Sequence, residues 1–172
     1  MDANELRSLQ APLKQRYREQ AESARTPARA EARLDVDRVA SVVRTWHGET
    51  DAGLHPATGG DGSLACSADM LLEALVACAG VTMSAVATAM GVELRGGQVV
   101  AEGFWDARGT LGVDRQAAVG LTDIALSFEL DTDADGATVQ RLVEMSERFC
   151  VIFQTLRNPP RLSVAHRVVG GG

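Results

Sequence analysis

The sequence is poor in aromatic residues and has no excess of positive charge. Aromatic residues make up 4% of the 172 positions, and Lys14 is the only lysine. Lys and Arg together number 17 against 23 Asp and Glu, which gives a formal net charge of −6. Proteins that bind nucleic acid present a basic face to the phosphates, so we predict no nucleic-acid partner. The 45% of hydrophobic residues is typical of a globular domain that needs no disulfide or structural metal.

Cysteine is scarce and widely spaced. No two of the three cysteines have the short spacing of zinc ligands, and the three histidines form no ligand pair with them (Cys66, Cys78, Cys150, His47, His55 and His166). An odd count also argues against a disulfide framework. The first ten residues, MDANELRSLQ, are polar and predict no secretory signal. We therefore expect a cytoplasmic protein with reduced thiols and no bound metal.

Motifs of several common protein classes are missing. The Gly-rich stretch GLHPATGGDGS lacks the Lys and Ser/Thr that end a phosphate-binding loop, and no G-x-S-x-G hydrolase motif occurs. The sequence DTDADG at 131–136 resembles the start of a calcium loop, but its twelfth position, which needs a bidentate Glu, is Leu142. We predict instead an acidic turn that caps the following helix.

One long stretch, residues 74–90, carries no charge. Its length is close to that of a membrane span, but it is dominated by Ala, Val, Thr, Ser and Gly, and no Lys or Arg cluster flanks it. We therefore expect a core helix over 68–90 and no contact with a membrane. Ser67 is the expected N-cap of this helix, and Gly91 is its expected C-terminal stop.

Hydrophobic periodicity predicts an α+β fold with a mainly antiparallel sheet. An amphipathic helix over 4–24, interrupted at Pro12, precedes two strands joined by a turn near 35–37. The Gly-rich residues 48–63 are predicted to form a long loop. The second half is predicted to contain strands over 92–107 and 119–131, a helix after Gly136 that ends at Cys150, a helical stretch over 151–156 and a last strand over 161–169. We divide the chain into an N-terminal helical extension, 1–27, and one domain, 28–169.

Two of the cysteines lie in apolar helical sequence. Cys78 is in the middle of the most apolar helix, and Cys150 follows Phe149 at the end of the next long helix. A buried cysteine taken alone is usually a small hydrophobic residue. The two thiols form a redox pair only if the fold brings them together, which their spacing does not show. Cys66 is expected to be more exposed and incidental.

Two segments together resemble the OsmC/Ohr superfamily. The sequence LVACAGVTM contains Cys78, and the sequence ERFCVIFQTL contains Cys150. They match that superfamily's pattern of one Cys in a long central helix and another in a motif like E-x-x-C-P-V-x-x-T-L. The resemblance covers about residues 28–169. It implies an intertwined homodimer, with mainly antiparallel sheets packed around long buried central helices and the active site at the subunit interface.

The resemblance also implies a thiol peroxidase reaction. Cys78 would attack the peroxide and become a sulfenic acid, Cys150 would condense with it to a disulfide, and an external dithiol would restore both thiols. The superfamily places an Arg near the attacking thiol. The first hairpin offers Arg33 and Arg38, of which we prefer Arg38. Such a dithiol could belong to a lipoylated protein, and no cofactor is expected.

Two positions depart from the superfamily's pattern. The Glu that orients the Arg normally lies ten residues before the attacking Cys, where this chain has Ala68. Asp69 is about 100° away around a helix, so it cannot simply replace that Glu. Glu73 also points away from the thiol, whereas Glu49 and Asp51 in the loop could supply a carboxylate. The second departure is Val151, where the superfamily motif usually has Pro.

We predict reduction of organic hydroperoxides, and possible reduction of hydrogen peroxide, because the walls around Cys78 should be apolar. The candidate wall residues are Leu75, Val76, Met83 and Phe153. His55 is a further candidate for the pocket, although a hydrogen bond that supports its own loop is equally compatible with the sequence. The alternative is a non-catalytic homodimer on the same fold that binds a small apolar ligand at the subunit interface. Ala68 favours this alternative.

Overall fold

The fold is described by a computed structural model that covers residues 1–45 and 47–169. Within these residues the chain forms two separate β-sheets and a long central helix, α2 (Ser67–Met90). The prediction of a mixed α+β fold built around a long helix is therefore confirmed.

The first sheet contains four strands in the order β1-β2-β3-β4. Their bounds are Glu31–Asp35 for β1, Ala40–Thr45 for β2, Gly48–Gly53 for β3 and Ala65–Cys66 for β4. β1 and β2 confirm the two strands predicted around 35–37, and only the β3–β4 pair is parallel. The prediction of a loop over all of 48–63 is wrong at its start. Residues 48–53 pair with β2, because a neighbouring strand edge outweighs the weak strand preference of GETDAG.

The second sheet contains two antiparallel strands, β5 (Gly96–Phe104) and β6 (Asp123–Asp131). Both lie inside the ranges predicted for strands. Alternate residues of β6 are half-buried and exposed, which is the pattern of a strand with one face against the core. A short helix, α3 (Ala107–Thr110), lies in the connection between the two strands.

The ends of α2 confirm one expected cap and correct the other. Gly91 ends the helix in the left-handed conformation, with φ of 68°, as expected of a C-terminal glycine. Ser67 is not the N-cap but the first helical residue, and Cys66 occupies the cap position without a capping side-chain hydrogen bond. The reason is that β4 leads directly into α2, so the backbone of Cys66 is still paired with Gly53 in the sheet.

A sharp joint at Cys150 separates two further helices, α4 (Gly136–Phe149) and α5 (Val151–Arg157). Both helices confirm the predicted helical stretches. Asp135 caps α4 by accepting a hydrogen bond from the backbone N–H of Thr138 at 2.7 Å, as predicted for the acidic turn.

The two ends of the chain depart from the predictions. The first helix, α1 (Ala3–Glu19), continues through Pro12 without interruption, and a short 3₁₀ turn over 21–24 follows it. A capping box between Asp2 and Glu5 stabilises its start. The predicted strand over 161–169 is wrong, since these residues form no helix or strand. Leu162 and Val164 are 86% and 97% exposed, because no strand edge described within the chain pairs with this segment.

The core consists of two clusters placed along α2. The thiol cluster is built on buried Leu75, Ala79 and Cys150, with Cys78, Ile152 and Phe153 among the side chains packed against it. The methionine cluster is built on buried Met83, Val86, Ala87 and Leu142. Together they bury one side of α2 against α4, α5 and the second sheet.

Candidate functional site

The two cysteines on which the family resemblance depends, Cys78 and Cys150, lie next to each other in the fold. Cys78 lies in the first half of α2, and Cys150 lies at the joint between α4 and α5. The two thiols pack together in the thiol cluster, where each shifts the pKa of the other, and they are otherwise surrounded by apolar side chains. Cys150 is 1% exposed, whereas Cys78 is half-buried. The pair therefore combines an inner thiol with one that a small molecule can reach.

The joint at Cys150 aims the start of a helix at these thiols. The backbone N–H of Cys150 donates to the carbonyl of Ser146, which ends α4, and its own φ and ψ of −73° and 111° are extended. Its sulfur then accepts a hydrogen bond from the backbone N–H of Phe153 at 3.4 Å, which caps α5. The first N–H groups of a helix have no partner within the helix, so they are available to neighbouring sulfur atoms.

These backbone groups set the pKa of Cys78. Burial raises the pKa of its thiol, but hydrogen bonds to the sulfur outweigh that effect. The N–H of Ile152, the thiol of Cys150 and the N–H of Val151 all interact with this sulfur. Together they lower the pKa of Cys78 below its ordinary value, which favours the nucleophilic thiolate.

The pKa of Cys150 shifts in the opposite direction. Burial raises the pKa of this thiol, and the neighbouring Cys78 raises it further, whereas the N–H of Phe153 lowers it only in part. Cys150 therefore stays protonated and acts as a donor when Cys78 is a thiolate. Two adjacent thiols with opposite shifts are suited to different chemical steps, one to attack and the other to a later reaction.

The structure brings two of the four expected wall residues to the thiols. Leu75 and Phe153 belong to the thiol cluster and also line a cavity of about 370 Å³, whose lining includes neither Cys78 nor Cys150. Met83 belongs to the methionine cluster instead, where its sulfur lies 3.6 Å from the Ser146 hydroxyl. Met83 follows Cys78 by five residues, which places it about 140° away around the helix.

Arg38 lies in the turn between β1 and β2. Its Nε donates to Asp35 at 2.7 Å and its Nη2 donates to Asp51 at 2.9 Å, and these two carboxylates raise the pKa of the guanidinium. Asp51 is one of the two loop carboxylates that the sequence left open, whereas Asp35 was not considered. Arg38 is not among the groups that act on the sulfur of Cys78 within the chain.

His55 lies in a different place, the loop cavity. This cavity of about 350 Å³ is enclosed by the loop after β3, the start of α2 and the segments around Trp105 and Leu121. Nδ1 of His55 accepts a hydrogen bond from the backbone N–H of Ala57 at 3.0 Å, which supports the loop. His55 also lines the cavity, so both interpretations of this residue are compatible with its position. Cys66 lies in the same wall.

The sequence analysis missed the backbone N–H groups of Val151 and Ile152. One signal could have found them, because a cysteine directly before a helical stretch lies where the first N–H groups of that helix are available. The contact with Cys78, by contrast, depends on how α5 packs against α2. No sequence pattern near either cysteine specifies that contact.

The fold and the thiol pair define an α+β protein with two adjacent thiols packed against a long central helix. A family model described as OsmC-like protein matches residues 60–165. The chain therefore belongs to the OsmC-like family. No curated protein matches the sequence significantly.

Solved structures of this family share the fold at low sequence identity. An OsmC-like protein from Mycoplasma pneumoniae is 17% identical, with 78% of this chain and 89% of that chain covered and a TM-score of 0.65. An organic hydroperoxide resistance protein from Legionella pneumophila is 18% identical, with coverage of 78% and 93% and a TM-score of 0.61. One from Elizabethkingia anophelis is 15% identical, with coverage of 78% and 92% and a TM-score of 0.63.

Proposed function

We propose that this protein reduces organic hydroperoxides with Cys78 as the attacking thiol and Cys150 as the resolving thiol. The observation that carries the proposal is the contact between the two thiols, whose pKa values shift in opposite directions. The organic hydroperoxide resistance proteins with the same fold support a peroxide-related role.

The reaction divides into two steps. The Cys78 thiolate attacks the outer oxygen of the peroxide, the O–O bond breaks, and the alkoxide leaves and takes up a proton as the alcohol. The resulting sulfenic acid on Cys78 is attacked by the sulfur of Cys150, which forms a disulfide and releases water. An external dithiol, such as that of a lipoylated protein, then reduces the disulfide and is itself oxidised. No bound cofactor takes part.

The apolar surroundings favour an organic peroxide over hydrogen peroxide. The alkyl group of an organic hydroperoxide would lie against the apolar part of the cavity beside Leu75 and Phe153, which includes Ile124, Leu126 and Leu156, whereas Thr122 and Arg157 line its polar part. Burial of that group adds binding free energy that hydrogen peroxide cannot gain, at roughly 0.8 kcal/mol per CH₂ group.

A homodimer is part of this proposal. The most apolar 18-residue stretch of α2 has a mean hydropathy of 1.9, yet only 28% of that stretch is buried within the single chain. Val81 on this helix is 73% exposed. The hydroxyls of Thr82, Ser84 and Thr88 donate to carbonyls four residues earlier, so this surface can lose water without unpaired polar groups. By length and composition alone α2 could also cross a membrane, but we expect a cytoplasmic dimer.

The dimer also gives a role to Arg38. Since this side chain does not contact Cys78 within its own chain, it would have to approach the thiol of the second subunit. Asp35 and Asp51 would then hold the guanidinium in place. In the superfamily pattern this is the task of a Glu at position 68, where this chain has Ala68. A sedimentation experiment that gave the mass of a single chain would contradict the dimer and with it this role of Arg38.

The proposed reaction is tested by peroxide consumption with a dithiol reductant. We expect cumene hydroperoxide to be reduced faster than hydrogen peroxide, and Cys78→Ser to lower the rate by about a thousandfold or more. Cys150→Ser should complete one turnover and then stall as the sulfenic acid, which a sulfenic-acid probe detects by mass spectrometry. A wild-type rate as low as that of Cys78→Ser would overturn the peroxidase and favour the non-catalytic alternative.

A further inference from the structure

The break between α4 and α5 leaves one backbone carbonyl without its helical donor. In a continuous helix the N–H of Val151 would donate to the carbonyl of Glu147, four residues earlier. Here the extended backbone of Cys150 ends α4, and the N–H of Val151 acts on the sulfur of Cys78 instead. The same break therefore supplies a donor to the thiol and removes a donor from the carbonyl of Glu147.

The side chain of Gln154 takes the place of that donor. Its Nε2 donates to the carbonyl of Glu147 at 2.8 Å, across the joint and seven residues back along the chain. Gln154 is half-buried in the middle of α5, where its own backbone N–H donates to the carbonyl of Cys150 at 3.0 Å. One residue of α5 is thus bonded both to the last turn of α4 and to the joint itself.

The orientation of the Gln154 amide is fixed by Asn158. Nδ2 of Asn158 donates to Oε1 of Gln154 at 3.3 Å. Because the amide oxygen is occupied in this way, the amide nitrogen is the end that faces the carbonyl of Glu147. An ion pair between Arg157 and Glu147 also spans the joint, but its atoms are 3.9 Å apart and the Arg157 side chain is 65% exposed, so it contributes little.

The position of the first turn of α5 depends on this contact because the joint is short. One extended residue, Cys150, separates the two helices, so a small rotation of its backbone would swing α5 relative to α2. Ile152 in that first turn packs in the thiol cluster with Cys78. Without the Gln154 amide, the carbonyl of Glu147 would be free to attract the N–H of Val151 away from the sulfur, because a carbonyl at a helix end lacks its helical donor.

We propose that Gln154 is a positioning residue for Cys78. By occupying the carbonyl of Glu147, its amide keeps the N–H of Val151 directed at the Cys78 sulfur. Its action is indirect, since Gln154 is not among the groups that act on this sulfur. The role rests on the proposed function of Cys78 as the attacking thiol, and the experiments below separate the two.

The proposal is tested on the full-length reduced protein with Gln154→Met, which keeps the length of the side chain but has no donor. Alkylation of Cys78 by iodoacetamide, followed by mass spectrometry over a pH series, reports the thiolate. We expect the profile to shift to higher pH, with alkylation about fivefold slower at pH 7 and equal to the wild type where both thiols are fully ionised. A variant with a merely loosened fold would not show this convergence. An unchanged profile, or a wild-type Cys78 that titrates like free cysteine, overturns the proposal.

Gln140→Met is the matched control. Gln140 on α4 also donates from its side-chain amide, to the carboxylate of Glu144 at 3.0 Å, but this hydrogen bond does not span the joint. The same chemical change at this position should leave the alkylation profile of Cys78 unchanged. A shift in Gln140→Met as large as that in Gln154→Met would overturn the specific role of Gln154.

A double variant tests whether Gln154 acts through Val151. Val151→Pro removes the N–H for which the carbonyl of Glu147 would compete, so adding Gln154→Met to it should shift the profile little further. Fully additive shifts overturn this route. Peroxide consumption separates the role from the proposed reaction. A wild type without peroxidase activity whose Gln154→Met profile still shifts contradicts only the proposed function, whereas an active wild type with an unshifted Gln154→Met profile contradicts only the role of Gln154.

Discussion

The two clusters along α2 are similar in composition but differ in chemistry. The methionine cluster packs α2 against a continuous part of α4, and its buried polar group, Ser146, donates to the carbonyl of Leu142 at 2.7 Å. The thiol cluster packs α2 against the joint where α4 ends and α5 begins. Both bury apolar side chains, but only at the joint do backbone N–H groups lack a partner within a helix.

This difference shows that burial by itself does not make a cysteine reactive. Burial raises the pKa of a thiol, so a cysteine in a continuous helical core would stay protonated. At the joint, the N–H groups of Val151 and Ile152 reverse that effect for Cys78. We infer that the reactivity of Cys78 depends on this break in helical structure, and the following predictions test that dependence.

The largest effect on stability is expected in the methionine cluster. Leu142 is 0% exposed, and Leu142→Ala should lower the free energy of unfolding by about 2–5 kcal/mol. The thiol cluster should be unaffected, so the rate at which iodoacetamide alkylates Cys78 in the folded protein should not change. Urea unfolding at matched protein concentration and alkylation followed by mass spectrometry measure the two quantities. A large change in the alkylation rate would mean that the clusters are not independent.

A smaller effect, on the pKa and alkylation rate of Cys78, is expected from a substitution at the joint. Val151→Pro removes one N–H donor from the Cys78 sulfur, and proline is compatible with the first position of a helix and with the extended backbone of Cys150. The pKa of Cys78 should rise, so less thiolate is present at pH 7 and alkylation should be about threefold to tenfold slower. The alkylation profile should shift to higher pH.

Val151→Ala is the matched control for this experiment. It keeps the backbone N–H and removes only a side chain that is 68% exposed, so its alkylation profile should match that of the wild type. Equal rates for the proline and alanine variants would show that the N–H of Val151 does not stabilise the thiolate.

The smallest effect is expected for the polar group of the methionine cluster. Ser146→Ala removes the hydrogen bond to the carbonyl of Leu142, but a helical backbone hydrogen bond can still satisfy that carbonyl. The free energy of unfolding should therefore change by about 1 kcal/mol or less. A loss as large as that of Leu142→Ala, measured in the same urea experiment, would mean that Ser146 organises the cluster.

The sequence predicted the elements with strong local signals. The long helix α2, the alternating strand β6 and the helix α4 with its acidic cap all lie close to their expected ranges. The segments whose structure depends on a partner strand were not predicted correctly. β3 forms on a polar sequence because β2 provides a partner, and the alternating residues 161–169 form no strand because none is provided within the chain.

The candidate site could be predicted only in part. The resemblance pointed to Cys78 and Cys150, which the fold joins, and Leu75 and Phe153 accompany them. Met83 and His55 lie elsewhere, because the turn of a helix and the path of a loop decide which residues share a cavity. Arg38 was predicted because it lies in the first hairpin. Its two carboxylate partners are Asp35 at the end of β1 and Asp51 in β3.

The sequence by itself determined where α2, α4 and α5 begin and end to within a few residues, and that a cysteine stands at the break between the last two. These features depend on capping residues and periodicity, which act over one or two helical turns. Only the tertiary structure decided that this break faces Cys78 and that the pKa values of the two thiols separate. The physical reason is that a hydrogen bond between residues 78 and 151 depends on how two helices pack, and no local preference contains that information.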